Sequence, residues 1–140
     1  MKILLPDSVA LDPALPEGVT AVRYAAGRPI PEEHTDAEVL VVWNNPGDQL
    51  RDTAGRLKHL RWVQTLAAGP DAVLAAGFGP DVVITSGRGL HDLTVAEHTL
   101  ALTLAAVRHL HVLLRAQAAH HWADEMHELQ AGPSLSLIHI

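Results

Sequence analysis

RWVQTLAAGPDAVLAAG, residues 61–77, reads as a strand that runs into a tight Ala67-Ala68-Gly69 turn and then, at Pro70 and Asp71, into a short helix. Proline is tolerated at a first helical position because its missing N–H would be unpaired there anyway. The same alternation extends outward in both directions. Upstream lie the apolar runs KILL (2–5) and VLVVW (39–43), and downstream VVIT (82–85). Runs that are apolar almost without interruption suit strands covered on both faces, as in a parallel sheet flanked by helices. The strands expected are Lys2–Leu5, Val19–Tyr24, Val39–Trp43, Trp62–Leu66 and Val82–Thr85. Between them, Pro31-Glu32-Glu33 reads as a helix first turn. Asp48 to Leu60 carries Leu50, Ala54, Leu57 and Leu60 at spacings of 3 and 4, the mark of an amphipathic helix. This βαβα order predicts an α/β domain with right-handed crossovers.

The pattern changes after residue 90. No Gly or Pro interrupts Leu93 to Trp122, and a helix of that length would run about 45 Å. Asp92 is the expected cap. Leu93, Ala96, Leu100, Leu104, Val107 and Leu114 form one stripe, and Leu102, Ala106, Leu110 and Leu113 a second. A helix apolar on two sides is expected to be buried on two sides, against a second domain or subunit as well as its own sheet. Gly132-Pro133 then stops the helix. The closing SLSLIHI has no periodicity and resembles a translated sequencing-library adapter, so the chain reads as truncated. The expected organisation is a sheet domain over 1–92, a long interdomain helix over 93–128 and an irregular, non-native tail over 129–140.

Composition narrows the function classes. The chain has 140 residues, 48% hydrophobic and 19% charged, enough for one domain with a real core. Aromatics are only 4%, so that core must be Leu, Val and Ala. The net charge is −6, which argues against a nucleic-acid platform, since little is present to displace counterions from phosphates. There is no cysteine, which excludes disulfides, thiolate metal sites and a cysteine nucleophile. The N-terminal apolar run is cut by Pro6 and Asp7, too short for a signal-peptide core. The most apolar helical run, Thr99 to Val107, is far shorter than the roughly 20 residues a bilayer span needs. No membrane association and a cytoplasmic location are the expectations.

Two segments could carry chemistry. In the first, successive N–H groups at the Ala67-Ala68-Gly69 turn, backed by a helix N-terminus, could hold an anion, with Gly69 free to take a positive φ or admit close backbone approach. Ligands of open α/β sheets sit beyond the carboxyl ends of the strands. A small carboxylate on the amides of Ala68 and Gly69 is one reading, and an ordinary strand-to-helix connection is the other. The second segment, VVITSGRGLHDLTVAEH (82–98), places Arg88, His91 and Asp92 in a Gly-rich loop before a helix. Either these contact a ligand, or the helix is merely capped among solvated neighbours.

Other signatures are incomplete. Neither Gly77-Phe78-Gly79 nor Gly87-Arg88-Gly89 completes GxGxxG, because Val82 and Asp92 occupy the last positions. His120, Asp124 and His127 share a helical face, as do His121 and Glu125, but HExxH is absent. No metal is expected. Ser86 with His91 and Asp92 lacks the GxSxG context of a nucleophile.

Taken together, LKHLRWVQTLAAGPDAVL (57–74), VVITSGRGLHDLTVAEHTLALTLAAVRHL (82–110), and Gln117 with Trp122 resemble the N-terminal half of the D-isomer specific 2-hydroxyacid dehydrogenases. The match covers residues 57–122. The resemblance implies a flavodoxin-like substrate-binding domain, followed by a long helix that crosses to a Rossmann domain inserted into the first. It implies an oxidoreductase moving a hydride between NAD or NADP and a small 2-keto or D-2-hydroxy acid, homodimeric at full length. By position, the amides of Ala68 and Gly69 would hold the substrate carboxylate, and Thr94 would line the cofactor cleft. Glu97, Arg108 and Trp122 match positions read as structural. Pro70 departs from the usual branched apolar residue and offers no N–H. The family's GxGxxG and its catalytic Arg, Glu and His fall beyond the matched residues, so no catalytic role is assigned here. The chain alone is therefore expected to be inactive, its cofactor bound mainly by the missing domain. A different class stands beside this reading: a flavodoxin-like binding or regulatory module that dimerises through the long helix. A histidine-rich metal-binding helix is a third.

Overall fold

The computed structural model describes residues 1–123. The chain divides into two units, one spanning Met1–His91 and the other starting at Asp92.

In the first unit, five strands form one sheet: β1 (Lys2–Pro6), β2 (Thr20–Tyr24), β3 (Val39–Val42), β4 (Trp62–Thr65) and β5 (Val83–Thr85). Every pairing is parallel and the spatial order is β2-β1-β3-β4-β5. This is the flavodoxin-like order, in which the chain reverses its direction of winding between β1 and β3. All five expected strands form, each within a residue or two of the limits read from the sequence.

Side chains alternate between the two faces of each strand. One face carries Val22 and Tyr24, Leu4, Leu40 and Val42, Val63, and Ile84, and it meets Ile30, Leu50, Leu57, Leu60, Val73 and Ala76 in a single apolar cluster. Leu50 belongs to α1 (Gly47–Arg56) and Val73 to the single-turn helix α2 (Asp71–Leu74). The amphipathic spacing through 50, 57 and 60 thus buries the residues it selects, although the helix itself stops at Arg56 and Leu57 closes it. The expected helix at Pro31 is only a 3-10 turn, Glu32–His34. Thr35 Oγ1 donates back to the Glu32 carbonyl at 2.8 Å, and the chain must then reach β3 within a few residues.

The opposite face is less covered. Leu5 and Val39 are buried there, but Trp62 is 40% exposed and Val83 59%. The β1–β2 connection has no helix. Arg23 of β2 holds it instead: its guanidinium donates to the carbonyls of Pro6 (3.2 Å), Val9 (2.8 Å) and Leu11.

In the second unit the expected single helix is two: α3 (Asp92–Val107) and α4 (Leu110–Ala118), bent by 67°. The break is His109, which takes the left-handed conformation at φ 52°. Histidine is among the residues that tolerate this region, so a helix can end without Gly or Pro. His120 repeats the device at φ 52°. His121 N–H donates to the Ala116 carbonyl (2.9 Å) and His120 N–H to that of Gln117 (3.0 Å), the paired bonds that commonly terminate a helix. The apolar residues of these helices have no full cover within the described residues. No residue of α3 or α4 is buried, and Leu93, Val95, Leu100, Leu102, Leu104, Leu110 and Leu114 are exposed. The apolar residues run around the circumference, so no one flank could cover them all. Among the described residues no single helix is long and apolar enough to cross a membrane, although the bent pair passes by length and composition. The expected tail, 129–140, and the last residues expected in the helix lie outside the described residues.

Tyr24 offers a test of the core. Its phenol is pushed up to about 12, mainly by burial, with the Asp7 charge adding and a hydrogen bond to Asn45 opposing. Between pH 10 and 12 the unfolded chain therefore binds fewer protons than the native one, and stability falls as pH rises, by about 3 kcal/mol in all. Urea denaturation across that window should show the decline in the wild type. Tyr24→Phe, which has no phenol to ionise, should lose this component.

Candidate functional site

Parallel strands bring every βα loop to one edge of the sheet, so the carboxyl ends of β1, β3, β4 and β5 are the place to look for chemistry. Two loops meet there. After β4, Leu66 N–H donates to the Val42 carbonyl (3.0 Å) and Ala67 N–H to Thr65 Oγ1 (3.2 Å), which turns the chain sharply. After β5, Gly87 N–H donates to the Ala67 carbonyl at 2.9 Å. His91, at the end of that loop, places Nε2 3.0 Å from the Leu66 carbonyl. A carbonyl can only accept, so Nε2 carries the proton. The imidazole also stacks on Trp43, with ring centroids 5.6 Å apart and planes 30° from parallel. Trp43 is itself fixed from β3, its N–H donating to Asn45 Oδ1 (3.1 Å), the same oxygen that lies 3.1 Å from the Tyr24 hydroxyl.

At the tip of the first loop lie the two residues singled out from the sequence. Ala68 and Gly69 are exposed, and among the described residues no group accepts their N–H. They are available to an anion from solvent. Gly69 shows neither of the two uses its sequence position allowed, a positive φ or a close backbone neighbour. What crowds it is a side chain, Asp71, whose Oδ2 would sit 2.9 Å from a Cβ at that position. That carboxylate tempers the attraction of the turn for negative charge. The helix behind the turn, α2, is one turn long and starts only at Asp71, so it adds little dipole.

The glycine on which another loop's backbone closes is Gly87. A Cβ there would lie 2.7 Å from the Leu66 carbonyl carbon, and backbone cannot yield as a side chain can. Arg88 is exposed, and His91 is partly buried. Asp92 opens α3, and Thr94 sits in its first turn, in the second unit. Trp43 and Asn45 were not picked out from the sequence as site residues. The available signal is their place at the end of the apolar run 39–43 and just beyond it, where a strand gives way to a loop.

Among the described residues, two of the hollows lie against the sheet. One of ≈ 420 Å³, walled by Leu5, Ala10 to Pro13, Val41, Gln64 and Leu66, lies where the winding reverses. A larger one of ≈ 620 Å³ opens by Met1, Glu38, Arg61 and Trp62, at the amino ends of the strands, and runs along β5 as far as Thr85. The strand-end rule favours the smaller. Among the described residues no cluster of side chains could hold a metal ion. The candidate ligands Asp124, Glu125 and His127 lie outside those residues.

No protein-family model matches the chain, and no curated protein does. Among solved structures, the chain is similar to a D-isomer specific 2-hydroxyacid dehydrogenase family protein from Aeromonas salmonicida, at 19% identity with a TM-score of 0.64. The match covers 86% of this chain but only 40% of that one. At that identity the likeness is one of fold.

The two glycines should separate in mutagenesis. Gly87→Ala is expected to cost about 1–3 kcal/mol or more, as overpacking does. Gly69→Ala should cost less, because the Asp71 carboxylate can swing away. Urea midpoints of both variants test this order.

Proposed function

We propose that this chain is the substrate-binding part of an oxidoreductase that transfers a hydride between NAD or NADP and a small 2-keto or D-2-hydroxy acid. The observation that carries the reading is the pair of outward N–H donors on Ala68 and Gly69, set on a turn clamped by a second loop at the carboxyl edge. Two adjacent amides are suited to the two oxygens of one carboxylate. The likeness in fold to a 2-hydroxyacid dehydrogenase family protein supports the same assignment.

The described residues do not by themselves make a dinucleotide site. Gly87 is buried, with its N–H already given to Ala67, and Gly77-Phe78-Gly79 leads toward strand β5 rather than a helix. A phosphate-binding glycine loop needs free amides at a helix start. The cofactor would therefore be held mainly by a further domain, with Thr94 on the helix that leads to it, and no catalytic residue is assigned within this chain.

The test is an amide-resolved NMR titration with pyruvate and glyoxylate. Saturable shifts at Ala68 and Gly69 are expected, and unchanged signals at both would sink the assignment. Mixed with NADH or NADPH and pyruvate, glyoxylate or hydroxypyruvate, the chain alone should turn over no faster than the blank. Turnover above blank would show that its role is not confined to substrate binding.

The exposed leucines and valines of α3 and α4 favour a second reading, a binding or regulatory module that pairs through these helices. Sedimentation over a range of concentrations distinguishes them. A discrete dimer with one cooperative melt supports the module, and open-ended association counts against it.

A further inference from the structure

We infer that His91 is a positioning residue for the Ala68 donor, an inference that rests on the substrate-binding reading just given. The turn has little regular structure to hold it, since β4 ends at Thr65 and α2 begins only at Asp71. Its geometry depends on how successive peptide planes are pinned. In a trans peptide the carbonyl and the following N–H share one rigid plane and point in opposite directions. Gly87 N–H holds the Ala67 carbonyl, so the N–H of Ala68, in the same plane, projects away from the β5 loop. The plane before it is held at both ends: the Leu66 carbonyl by His91 Nε2 and the Ala67 N–H by Thr65 Oγ1. Two consecutive planes are thus fixed, and the first exposed donor inherits its direction from them.

His91 suits the task because its own ring is held. Stacking on Trp43 fixes the plane of the imidazole, and the Leu66 carbonyl requires the proton on Nε2. Removing the donor would leave the Leu66 carbonyl to find water and let the Leu66–Ala67 plane rotate. The effect would reach the ligand only through Ala68, since His91 need not touch it.

Three variants and one probe test this. The probe is oxamate, a stable carboxylate analogue of a 2-keto acid, read by amide NMR on the full chain. His91→Leu keeps bulk on Trp43 but removes the donor, His91→Gln restores a donor, and Trp43→Leu removes the stacking partner while sparing His91. Without ligand, His91→Leu should speed hydrogen exchange at Ala67, whose N–H is bonded to Thr65 Oγ1, and broaden the signals of Ala67 and Ala68, with those of Leu40 and Val63 unchanged. With oxamate, it should weaken binding roughly tenfold, the loss of about one hydrogen bond's worth of order. His91→Gln should recover most of that loss, and Trp43→Leu should fall between. Should His91→Leu fail to fold, the Gln and Trp43 variants still decide. Wild-type Ala67 and Ala68 signals in His91→Leu, or no recovery in a folded His91→Gln, would overturn the inference. Failure of the wild type to bind oxamate would instead sink the substrate-binding reading, while the ligand-free spectra still decide whether His91 pins the turn.

Discussion

Leu4, Leu40 and Val63 sit side by side on β1, β3 and β4, and solvent reaches none of them. Burying each is worth about 1.5–3 kcal/mol, and it requires three strands distant in sequence to lie in one register. Parallel neighbours cannot be joined by a tight turn, so each connection must cross over the sheet. Here the crossovers after β3 and β4 carry α1 and α2, whose Leu50 and Val73 seal the same row from above. The row therefore dictates the crossovers, and the crossovers dictate that every strand delivers its following loop to one edge.

At that edge the two loops depend on each other more than on the strands behind them. Neither turn 66–69 nor loop 86–91 has a ladder of its own. Each supplies what the other lacks, one offering carbonyls and the other donors. A glycine at 87 lets the backbones approach, and an imidazole 25 residues from Leu66 closes the second link. Both polar groups of the Leu66–Ala67 peptide and the carbonyl of Ala67 are thereby occupied, while the amides of Ala68 and Gly69 have no acceptor among the described residues.

Much of this was legible in the chain. The strands were visible because runs such as KILL and VLVVW have only one comfortable home, between two covered faces. Leu50, Leu57 and Leu60 announced the buried side of α1 by spacing alone. The position of the Ala68-Gly69 turn followed from a strand running into Gly-Pro-Asp. Non-local facts were not legible. Gly87 leaves no room for a side chain, and only the approach of Leu66 from another loop reveals it. Trp43 gave no hint of a partnership with His91. The break at His109 carries no Gly or Pro to mark it, since a histidine can adopt the left-handed conformation when the next bonds compensate. The 3-10 turn at Glu32 fell short of a helix because β3 begins too soon.

The fastening of the β1–β2 connection differs in kind from the ion pairs elsewhere on the first unit. Lys2 with Asp36 and Arg56 with Glu32 and Asp52 depend on carboxylates, and strong acid would neutralise them. Arg23 gives its protons to the carbonyls of Pro6, Val9 and Leu11. Guanidinium keeps its proton throughout the ordinary pH range and peptide oxygens do not titrate there. The strap that walls the smaller hollow is thus tied by a knot indifferent to acidity, and it should stay fastened in media sour enough to undo the surface pairs around it.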